Sequence, residues 1–257
     1  MSKMKSLIAT SIILAGCGLA SKPSNAAGEA VDLLHKDWSH DGVFGAFDRA
    51  AAQRGLQVYR EVCSVCHGLQ FVAFRNFADL GFSEDEVKAL AAEYEIEDGP
   101  DDEGEMFMRP GRPSDMYPSP YPNENAARAA NGGAYPPDLS LMAKARANGT
   151  NYVYSLLQGY GEPPADFDLS DGMNYNAYFP GHQIAMAQPL YEESVEYADG
   201  VPATLEQHAS DVSVFLTWAA EPKLEERKGT GLKVMMFLLI LTGLFYATKR
   251  KIWSDVH

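Results

Sequence analysis

The chain has 257 residues, of which 46% are hydrophobic, and it carries a formal net charge of −14. This length accommodates one sizeable domain with appendages at its ends. The acidic balance argues against nucleic acid as a partner, and it favours either a basic partner or simply solubility.

The N-terminal segment, MSKMKSLIATSIILAGCGLA, has a basic start, a short apolar core and small residues after it. This pattern predicts an export signal peptide over residues 1–27, too short to span a membrane comfortably, with Gly28 as the first mature residue. The letters LAGC at 14–17 also fit a lipoprotein signal in which Cys17 is acylated. The sequence leaves both fates open for Cys17, lipidation or removal with the signal.

The stretch CSVCHG at residues 63–68 follows an amphipathic helix predicted over residues 47–66. A structural zinc site needs four ligands, and the chain has only three cysteines. C-x-x-C-H is the attachment signature of c-type haem, in which Cys63 and Cys66 bind the porphyrin and His67 binds the iron. We therefore expect one covalently bound haem c; a thiol–disulfide enzyme that uses the two cysteines is the alternative.

An acidic run follows, with eleven acidic residues between Glu84 and Glu105 against Lys88 alone. Its first part predicts a helix over residues 83–95 with Ser83 as the N-cap. The run is either a solvated acidic loop or a surface that steers a basic partner by its negative field. The hypothetical docking residues are Glu97, Asp98, Asp101, Asp102 and Glu103.

Long Pro- and Gly-rich loops separate the remaining predicted helices, which cover residues 123–130, 137–147, 151–160 and 204–222. Thr204 is the expected N-cap of the last, and Pro222 its stop. Strand signals are weak. The predicted fold class is mainly α: a c-type cytochrome haem domain with long ordered loops plus one C-terminal transmembrane helix. Loops of this length are uncommon without a function, and a bound macrocycle is what could order them.

The second axial ligand of the iron remains to be assigned. A methionine would raise the reduction potential and suit electron transfer. Met186 lies on an apolar stretch in a loop fixed by Gly and Pro, just before the last helix of the domain. His182, four residues earlier, is the rival and would give a haem with two histidine ligands.

The C-terminal segment holds nineteen residues from Thr230 to Thr248 with one charge, Lys233, and ends in Lys249, Arg250 and Lys251. It predicts a single membrane anchor over residues 229–249. Because the export signal comes first, residues 28–228 form the periplasmic haem domain and residues 250–257 a cytoplasmic tail. We expect the protein in a bacterial inner membrane, in contact with membrane lipid.

The segments EVCSVCHGL, GEMFMRPG, ANGGAYPPDLSLMAKAR, NYVYSLLQGY, YFPGHQIAMAQPLY and FLTWAAEP, in this order, resemble the cytochrome c1 family. The family is the haem subunit of the cytochrome bc1 complex, ubiquinol–cytochrome c oxidoreductase. The resemblance implies His67 and Met186 as axial ligands, and Arg146 and Tyr152 beside the haem propionates. Some bacterial members carry a disulfide-bearing insert before the ligand methionine; this chain has no cysteines there.

The resemblance also implies the function and the partners. Within the complex, with cytochrome b, the protein would pass single electrons from the Rieske iron–sulfur protein to a soluble basic c-type cytochrome. It would be no enzyme by itself, but the electron-carrying subunit of an oxidoreductase. The alternative is a membrane-anchored c-type cytochrome that acts alone or in a terminal oxidase.

One further expectation concerns the ring of His67. Metal-binding histidines usually donate their other N–H to a carbonyl or carboxylate, which fixes the orientation of the ring. The segment YPPDLS offers the backbone carbonyls of Pro136 and Pro137. We expect one of these two residues of the haem pocket to accept that hydrogen bond.

Overall fold

The structure is a computed structural model that describes residues 31–254. The predicted export signal and Cys17 lie outside the described residues. The α-helices are α1 (Arg49–Glu61), α2 (Glu84–Ala92), α3 (Glu124–Ala130), α4 (Gly149–Gln158), α5 (Leu205–Ala220) and α6 (Leu224–Ile252). Short 3-10 helices cover Cys63–Val65 and Phe74–Leu80. Two small antiparallel pairs join β1 (Glu95–Asp98) to β2 (Phe107–Pro110) and β3 (Asn174–Tyr175) to β4 (Gln183–Ile184). The mainly helical fold class is confirmed.

Side-chain caps start the helices where the sequence indicated. The Ser83 hydroxyl accepts from the backbone N–H of Glu86, whose carboxylate in turn accepts from the N–H of Ser83. Thr204 caps α5 by accepting from the N–H of Gln207. Each cap satisfies a donor that the first helical turn leaves without a partner. The predicted N-caps Ser83 and Thr204 are therefore confirmed.

The helix predicted over residues 137–147 is wrong, because the segment consists of turns. The Asp138 carboxylate accepts from the backbone N–H of Ser140 at 2.9 Å and from that of Gln70 at 2.9 Å. The N–H of Leu139 bonds the carbonyl of Gly68 at 2.9 Å. An aspartate that bonds its neighbouring backbone competes with helix formation, and here it ties the segment to the residues after the cysteines.

The last part of the acidic run forms the first strand and the turn of a hairpin, β1 with β2, that weak strand signals did not reveal. Glu95 pairs with Pro110 and Asp98 with Phe107 at the two ends of the ladder. Arg109 of β2 bonds Asp98 across the hairpin and Asp115 in the following turn. These ion pairs join residues that are not neighbours in the sequence, so the local strand propensity of the run could not reveal the hairpin.

The core of the domain lies between α1 and α5. A Cβ atom at Gly55 would stand 2.1 Å from the backbone carbonyl oxygen of Asp211, so only glycine permits this approach of the helices. Around the contact, Tyr59 and Phe215 pack with ring centroids 5.8 Å apart, and Trp218 is buried beside them. This cluster is the apolar face that both helices share.

An ionic cluster borders the same contact. Arg54 of α1 donates to Asp211 of α5 at 2.8 Å and to Asp199 of the preceding loop at 2.9 Å. Gln57, one turn further along α1, donates to the carbonyl of Glu196 at 3.0 Å. One helix therefore holds both α5 and the loop that leads into it.

The N-terminal segment of the described chain crosses the domain in extended form. Its Leu34 N–H donates to the Ser155 hydroxyl at 2.9 Å, and the indole of Trp38 donates to Asn151 at 2.7 Å. The N–H of Phe47 donates to Glu225, at the start of α6, at 2.8 Å. The segment closes the domain against α4 and against the first turn of α6.

Helix α6 fits a membrane anchor. It is 29 residues long, which corresponds to about 43 Å of helix axis. Its apolar side chains are exposed on every side, for example Phe237, Leu239 and Phe245, and among the described residues it is the one helix long and apolar enough to cross a membrane. Lys249, Arg250 and Lys251 lie in its last turn.

The buried pair of Arg54 and Asp211 gives a test of this packing. The Asp211 side chain is 1% exposed, so Arg54→Met leaves a buried charge without its partner. We expect the free energy of unfolding to fall by about 3–5 kcal/mol, measured with denaturant on the full-length protein in detergent. Lys88→Met, which removes an exposed pair with Asp85, is the control and should cost about 1 kcal/mol or less. Equal losses in both variants would contradict the expectation.

Candidate functional site

The two cysteines lie in the tight turn that follows α1. The N–H groups of Cys66 and His67 both donate to the carbonyl of Cys63, at 3.1 and 2.9 Å. This 3-10 turn brings both thiols onto one short segment, and neither thiol is in a disulfide. Both cysteines are partly buried, while Val65 between them is exposed. The arrangement offers two thiols to one ligand.

The electrostatics of Cys63 bear on the thiol–disulfide alternative. Burial raises the pKa of the Cys63 thiol to about 12, and the neighbouring Cys66 adds to the shift. Redox dithiols work through a thiolate that a lowered pKa makes available near neutral pH. A thiol held protonated in this way is poorly suited to thiol–disulfide exchange.

His67 is fixed at two points. Its Nδ1 lies 2.7 Å from the carbonyl oxygen of Pro137, one of the two carbonyls expected from the sequence. Its backbone carbonyl accepts from the hydroxyl of Tyr59, in α1, at 2.9 Å. Within residues 31–254, the Nε2 atom has no hydrogen-bond partner. Burial lowers the pKa of His67, against the opposing effects of the Pro137 carbonyl and Asp138, and so favours the neutral imidazole that binds metals.

Asp138 holds Pro137 in place beside His67. One of its carboxylate oxygens accepts from the N–H of Gln70, in the segment that follows the cysteines. The other accepts from the N–H of Ser140, in the same segment as Pro137 and Asp138. A Cβ atom at Gly68 would lie 2.9 Å from Asp138 Oδ2, so a glycine allows this close approach. The Nδ1 contact of His67 is therefore supported by two further hydrogen bonds between the same segments, that of Gln70 to Asp138 and that of Leu139 to Gly68.

The loop with Met186 is attached to the end of α4. The Tyr160 hydroxyl donates to the Met186 carbonyl at 3.1 Å. The buried amide of Asn176 donates to the carbonyl of Leu156 at 2.8 Å, and the N–H of Ala177 bonds Gly159 at 2.8 Å. Met186 is partly buried on this framework.

His182 occupies a distinct position in the same loop. Its φ of 57° lies in the left-handed region, which is uncommon for a residue other than glycine. Its ring stacks on Tyr175, with centroids 6.1 Å apart, and meets Phe167 edge-on. The ring is thus packed among aromatic side chains of the loop.

Arg146 and Tyr152 lie together. The guanidinium carbon of Arg146 stands 5.8 Å from the centre of the Tyr152 ring, and its Nη1 donates to the carbonyl of Ala145. Arg146 is exposed and has no carboxylate partner in the described chain, whereas Tyr152 is buried. Burial raises the pKa of Tyr160, the residue that bonds Met186, and the neighbouring Tyr152 adds to the shift.

The five acidic residues predicted to dock a partner divide into two groups. Asp98 is bonded to Arg109, which holds the pKa of its carboxyl below the usual range, and Asp101 accepts from the N–H groups of Glu103 and Glu105 at the tip of the hairpin. Glu97, Asp102 and Glu103 are exposed, and their carboxylates make no ion pair within the described residues. These three carboxylates are therefore the ones most open to a partner.

Pro136 lines a cavity of about 230 Å³ together with Cys66, Tyr135 and Asp138. Sequence reasoning did not single out Tyr59, Asp138 or Tyr160 for the site. Each acts through a hydrogen bond to a backbone carbonyl or N–H of a segment elsewhere in the chain, and no local pattern signals such a bond.

The donor set fits a covalently attached porphyrin. Two unpaired thiols stand on one turn, and the adjacent imidazole keeps Nε2 free while Nδ1 is bonded to Pro137. These are the features of a c-type cytochrome, here combined with an apolar C-terminal helix that fits a membrane anchor. The chain belongs to the cytochrome c1 family, because the model of the Cytochrome C1 family matches residues 38–256. Membership implies a covalently bound c-type haem and a role in electron transport.

Similar proteins cover most of the chain. Cytochrome c1 of Rhodospirillum rubrum is 49% identical, over 98% of this chain and 99% of its own length. The cytochrome b-c1 complex catalytic subunit of Candida albicans mitochondria is 52% identical, over 86% of this chain and 77% of its own. The protein named cytochrome b/c1 of Bradyrhizobium diazoefficiens is 51% identical, over 86% of this chain and 35% of its own length.

Asp138 offers a test of how the site is held together. Asp138→Ala leaves the N–H groups of Gln70 and Ser140 without their acceptor, so we expect the free energy of unfolding to fall by about 1–3 kcal/mol. Asp138→Asn keeps one acceptor oxygen and should give an intermediate loss. Denaturant titration of the full-length protein measures both. Asp166→Ala, at an exposed carboxylate of a loop, is the control, and a loss at Asp166 as large as that at Asp138 would contradict the assignment.

Proposed function

We propose that this protein is the electron-transfer subunit of a cytochrome bc1 complex. It accepts single electrons from a Rieske iron–sulfur protein and passes them to a soluble basic c-type cytochrome. Family membership and the relative from Candida albicans, named as a subunit of the b-c1 complex, support this proposal. The relative named cytochrome b/c1, of which this chain matches about a third, supports cytochrome b as a neighbour.

Four residues hold the cofactor in this proposal. Cys63 and Cys66 would hold one haem c through thioether bonds, and His67 and Met186 would bind its iron. The haem supplies a one-electron iron couple. The bond of His67 to Pro137 orients the imidazole, and the bond of Tyr160 to the Met186 carbonyl restrains the loop on which the second ligand lies.

Arg146 and Tyr152 bind the haem propionates in the proposed site. Arg146 is a cation without an acidic partner in the described chain, and it lies against the ring of Tyr152. A guanidinium with free N–H donors binds a carboxylate through charge and paired hydrogen bonds. The electron-carrying role needs no bond to be made or broken by the protein, so its residues act by orienting the cofactor and admitting partners.

The observation that carries the proposal is the Nε2 atom of His67, which has no hydrogen-bond partner within the described residues. It stands next to two unpaired thiols, in a chain of the cytochrome c1 family. Haem staining of the denatured full-length polypeptide tests the covalent attachment. The alternative, a membrane-anchored cytochrome that acts alone or in a terminal oxidase, is separated by co-purification. The bc1 proposal requires a b-type cytochrome and a Rieske protein in the isolated complex.

The same proposal includes the membrane arrangement. Residues 28–228 form the haem domain on the periplasmic side of a bacterial inner membrane, residues 229–249 the anchor and residues 250–257 the cytoplasmic tail. Residues 1–27 are the export signal. The apolar, exposed length of α6 supports the anchor, and mass analysis of the mature N-terminus decides between cleavage and lipidation at Cys17.

Met186→Leu tests the second axial ligand. Loss of the thioether should lower the reduction potential and let carbon monoxide bind the reduced protein. Potentiometric titration and the visible spectrum under carbon monoxide measure both effects. His182→Ala is the matched variant in the same loop. If Met186→Leu keeps the potential while His182→Ala loses it, the iron has two histidine ligands and the assignment of Met186 is wrong.

The acidic hairpin gives a test of partner steering. We expect the variant Glu97→Gln/Asp102→Asn/Glu103→Gln to react roughly tenfold more slowly with a soluble basic cytochrome at low salt, because electrostatic steering raises encounter rates. The rates of variant and wild type should converge near 1 M salt, where the screening length is about 3 Å. Stopped-flow mixing measures these second-order rates.

Asp98 and Asp101 are left unchanged in that variant because they support the hairpin itself. The electron-transfer rate from the Rieske protein serves as the control and should not change. A triple variant as fast as wild type at low salt would identify the acidic run as a solvated surface.

A further inference from the structure

The loop from His40 to Ala46, which precedes α1, exposes two neighbouring apolar side chains. Val43 is 63% exposed and Phe44 is 85% exposed. A single apolar residue on a surface needs no explanation, but a large aromatic side chain exposed beside a second apolar one forgoes the free energy that its burial would give. This loop, the 40–46 loop, is therefore a candidate contact surface.

The backbone of the 40–46 loop determines the exposure of these two side chains. At its base, the N–H of Ala46 donates to the carbonyl of Ser39 at 3.0 Å. At its tip, a Cβ atom at Gly45 would lie 1.9 Å from the carbonyl oxygen of Asp41, so the chain closes this tightly only because a glycine stands there. The loop is thus a preformed turn that presents its apolar pair to the surroundings.

The 40–46 loop is bonded to the first turns of α6. The N–H of Phe47, just after the loop, donates to the carboxylate of Glu225 at 2.8 Å. The ammonium group of Lys228 donates to the carbonyls of His40 and Gly45, at 2.5 and 3.3 Å. The position of the loop is therefore fixed relative to the helix that fits a membrane anchor.

The order of these bonds gives the direction of the loop. Glu225 and Lys228 are three residues apart, so the second contact lies about 4.5 Å further along α6 than the first. From Phe47 back to Gly45, the chain thus advances along α6 toward the apolar stretch, which begins two residues after Lys228 at Thr230. The two exposed apolar residues come next in the chain, and they therefore lie toward the start of that stretch.

We propose that Val43 and Phe44 enter the interface of the lipid bilayer beside α6, so that the haem domain contacts the membrane at a second point. The bilayer is the occupant that the anchor itself brings to this height. The boundary between headgroups and acyl chains buries apolar side chains while polar groups next to them stay solvated, so the exposed carboxylate of Asp41 remains among the headgroups. The proposal rests on α6 as the membrane anchor of the proposed function and is independent of the electron-transfer role.

The second contact restricts how the haem domain tilts. Helix α1 begins at Arg49, shortly after the loop, and the guanidinium of Arg49 bonds Glu225 at 2.8 and 2.9 Å. The same helix ends just before Cys63. A domain joined to the membrane through one helix can rotate about that joint, whereas a domain that also touches the bilayer at Phe44 has a preferred tilt. Helix α1 then transmits this tilt to the segment with the two cysteines.

Spin labels measure the depth of the 40–46 loop. Cysteine replaces one exposed residue at a time, in the variants Asp41→Cys, Val43→Cys, Phe44→Cys and Ala46→Cys, and each variant is labelled with a nitroxide. The full-length holoprotein, in the complex in which it is isolated, is reconstituted in phosphatidylcholine nanodiscs. The protein without an added cysteine, treated with the same label, gives the background signal. Collisions with oxygen, which concentrates in the acyl layer, are compared with collisions with a water-soluble nickel chelate.

Two reference positions define the scale of this measurement. Leu239→Cys, within the apolar stretch of α6, reports the bilayer, and Asp166→Cys, at an exposed carboxylate of a loop, reports water. At Val43 and Phe44 we expect the ratio of oxygen to nickel collisions to be several-fold higher than at Asp166 and lower than at Leu239. The two flanking positions of the loop should give ratios close to that of Asp166.

Other profiles contradict the proposal. A ratio at the tip of the loop as low as that at Asp166 would place the loop in water. Labels at the tip that neither reagent reaches would identify a neighbouring protein as the occupant. A low ratio at Leu239 as well would mean that α6 is not a membrane anchor, and the membrane arrangement of the proposed function would fail too. A high ratio at Leu239 with a low ratio at the tip would reject the second contact alone.

Discussion

The close packing of α1 on α5 at Gly55 is the constraint on which the remaining structure depends. Helix α1 ends just before the cysteines, and α5 follows the loop that leads from Met186. Gly55 sets the distance between the two helices, and the pair of Arg54 and Asp211 fixes their register. The segment with the cysteines and the loop with Met186 are therefore both attached to the same packed pair of helices. The domain can therefore carry long loops around a small helical core.

The sequence predicts what short-range chemistry determines. Features that depend on neighbouring residues can be predicted from the sequence. They are the caps at Ser83 and Thr204, the apolar C-terminal helix and the attachment motif. The segment 137–147 shows the limit, since its apolar spacing favours a helix while Asp138 bonds the backbone of Gln70 instead. Gln70 is nearly seventy residues away from Asp138, so the periodicity of the local sequence cannot reveal this bond.

The candidate site shows the same division. Two thiols and an adjacent histidine are readable from the motif alone, but the groups that orient them are not. The hydroxyls of Tyr59 and Tyr160 each donate a hydrogen bond to a main-chain carbonyl in a loop, and no local sequence pattern marks a tyrosine for such a role. The acidic run is similar, because its charge is visible in the sequence, whereas the tie of Asp98 to Arg109 becomes apparent only once the hairpin exists.

The extended segment near the N-terminus has a consequence for how the protein is made. Trp38 bonds Asn151, which is 113 residues later in the chain, and Phe47 bonds Glu225, which is 178 residues later. The bond of Phe47 can therefore form only after nearly the whole domain, through Glu225, has been synthesised. Contacts of such sequence separation slow folding. We therefore expect the contact between the N-terminal segment and the start of α6 to be among the last parts of the domain to form.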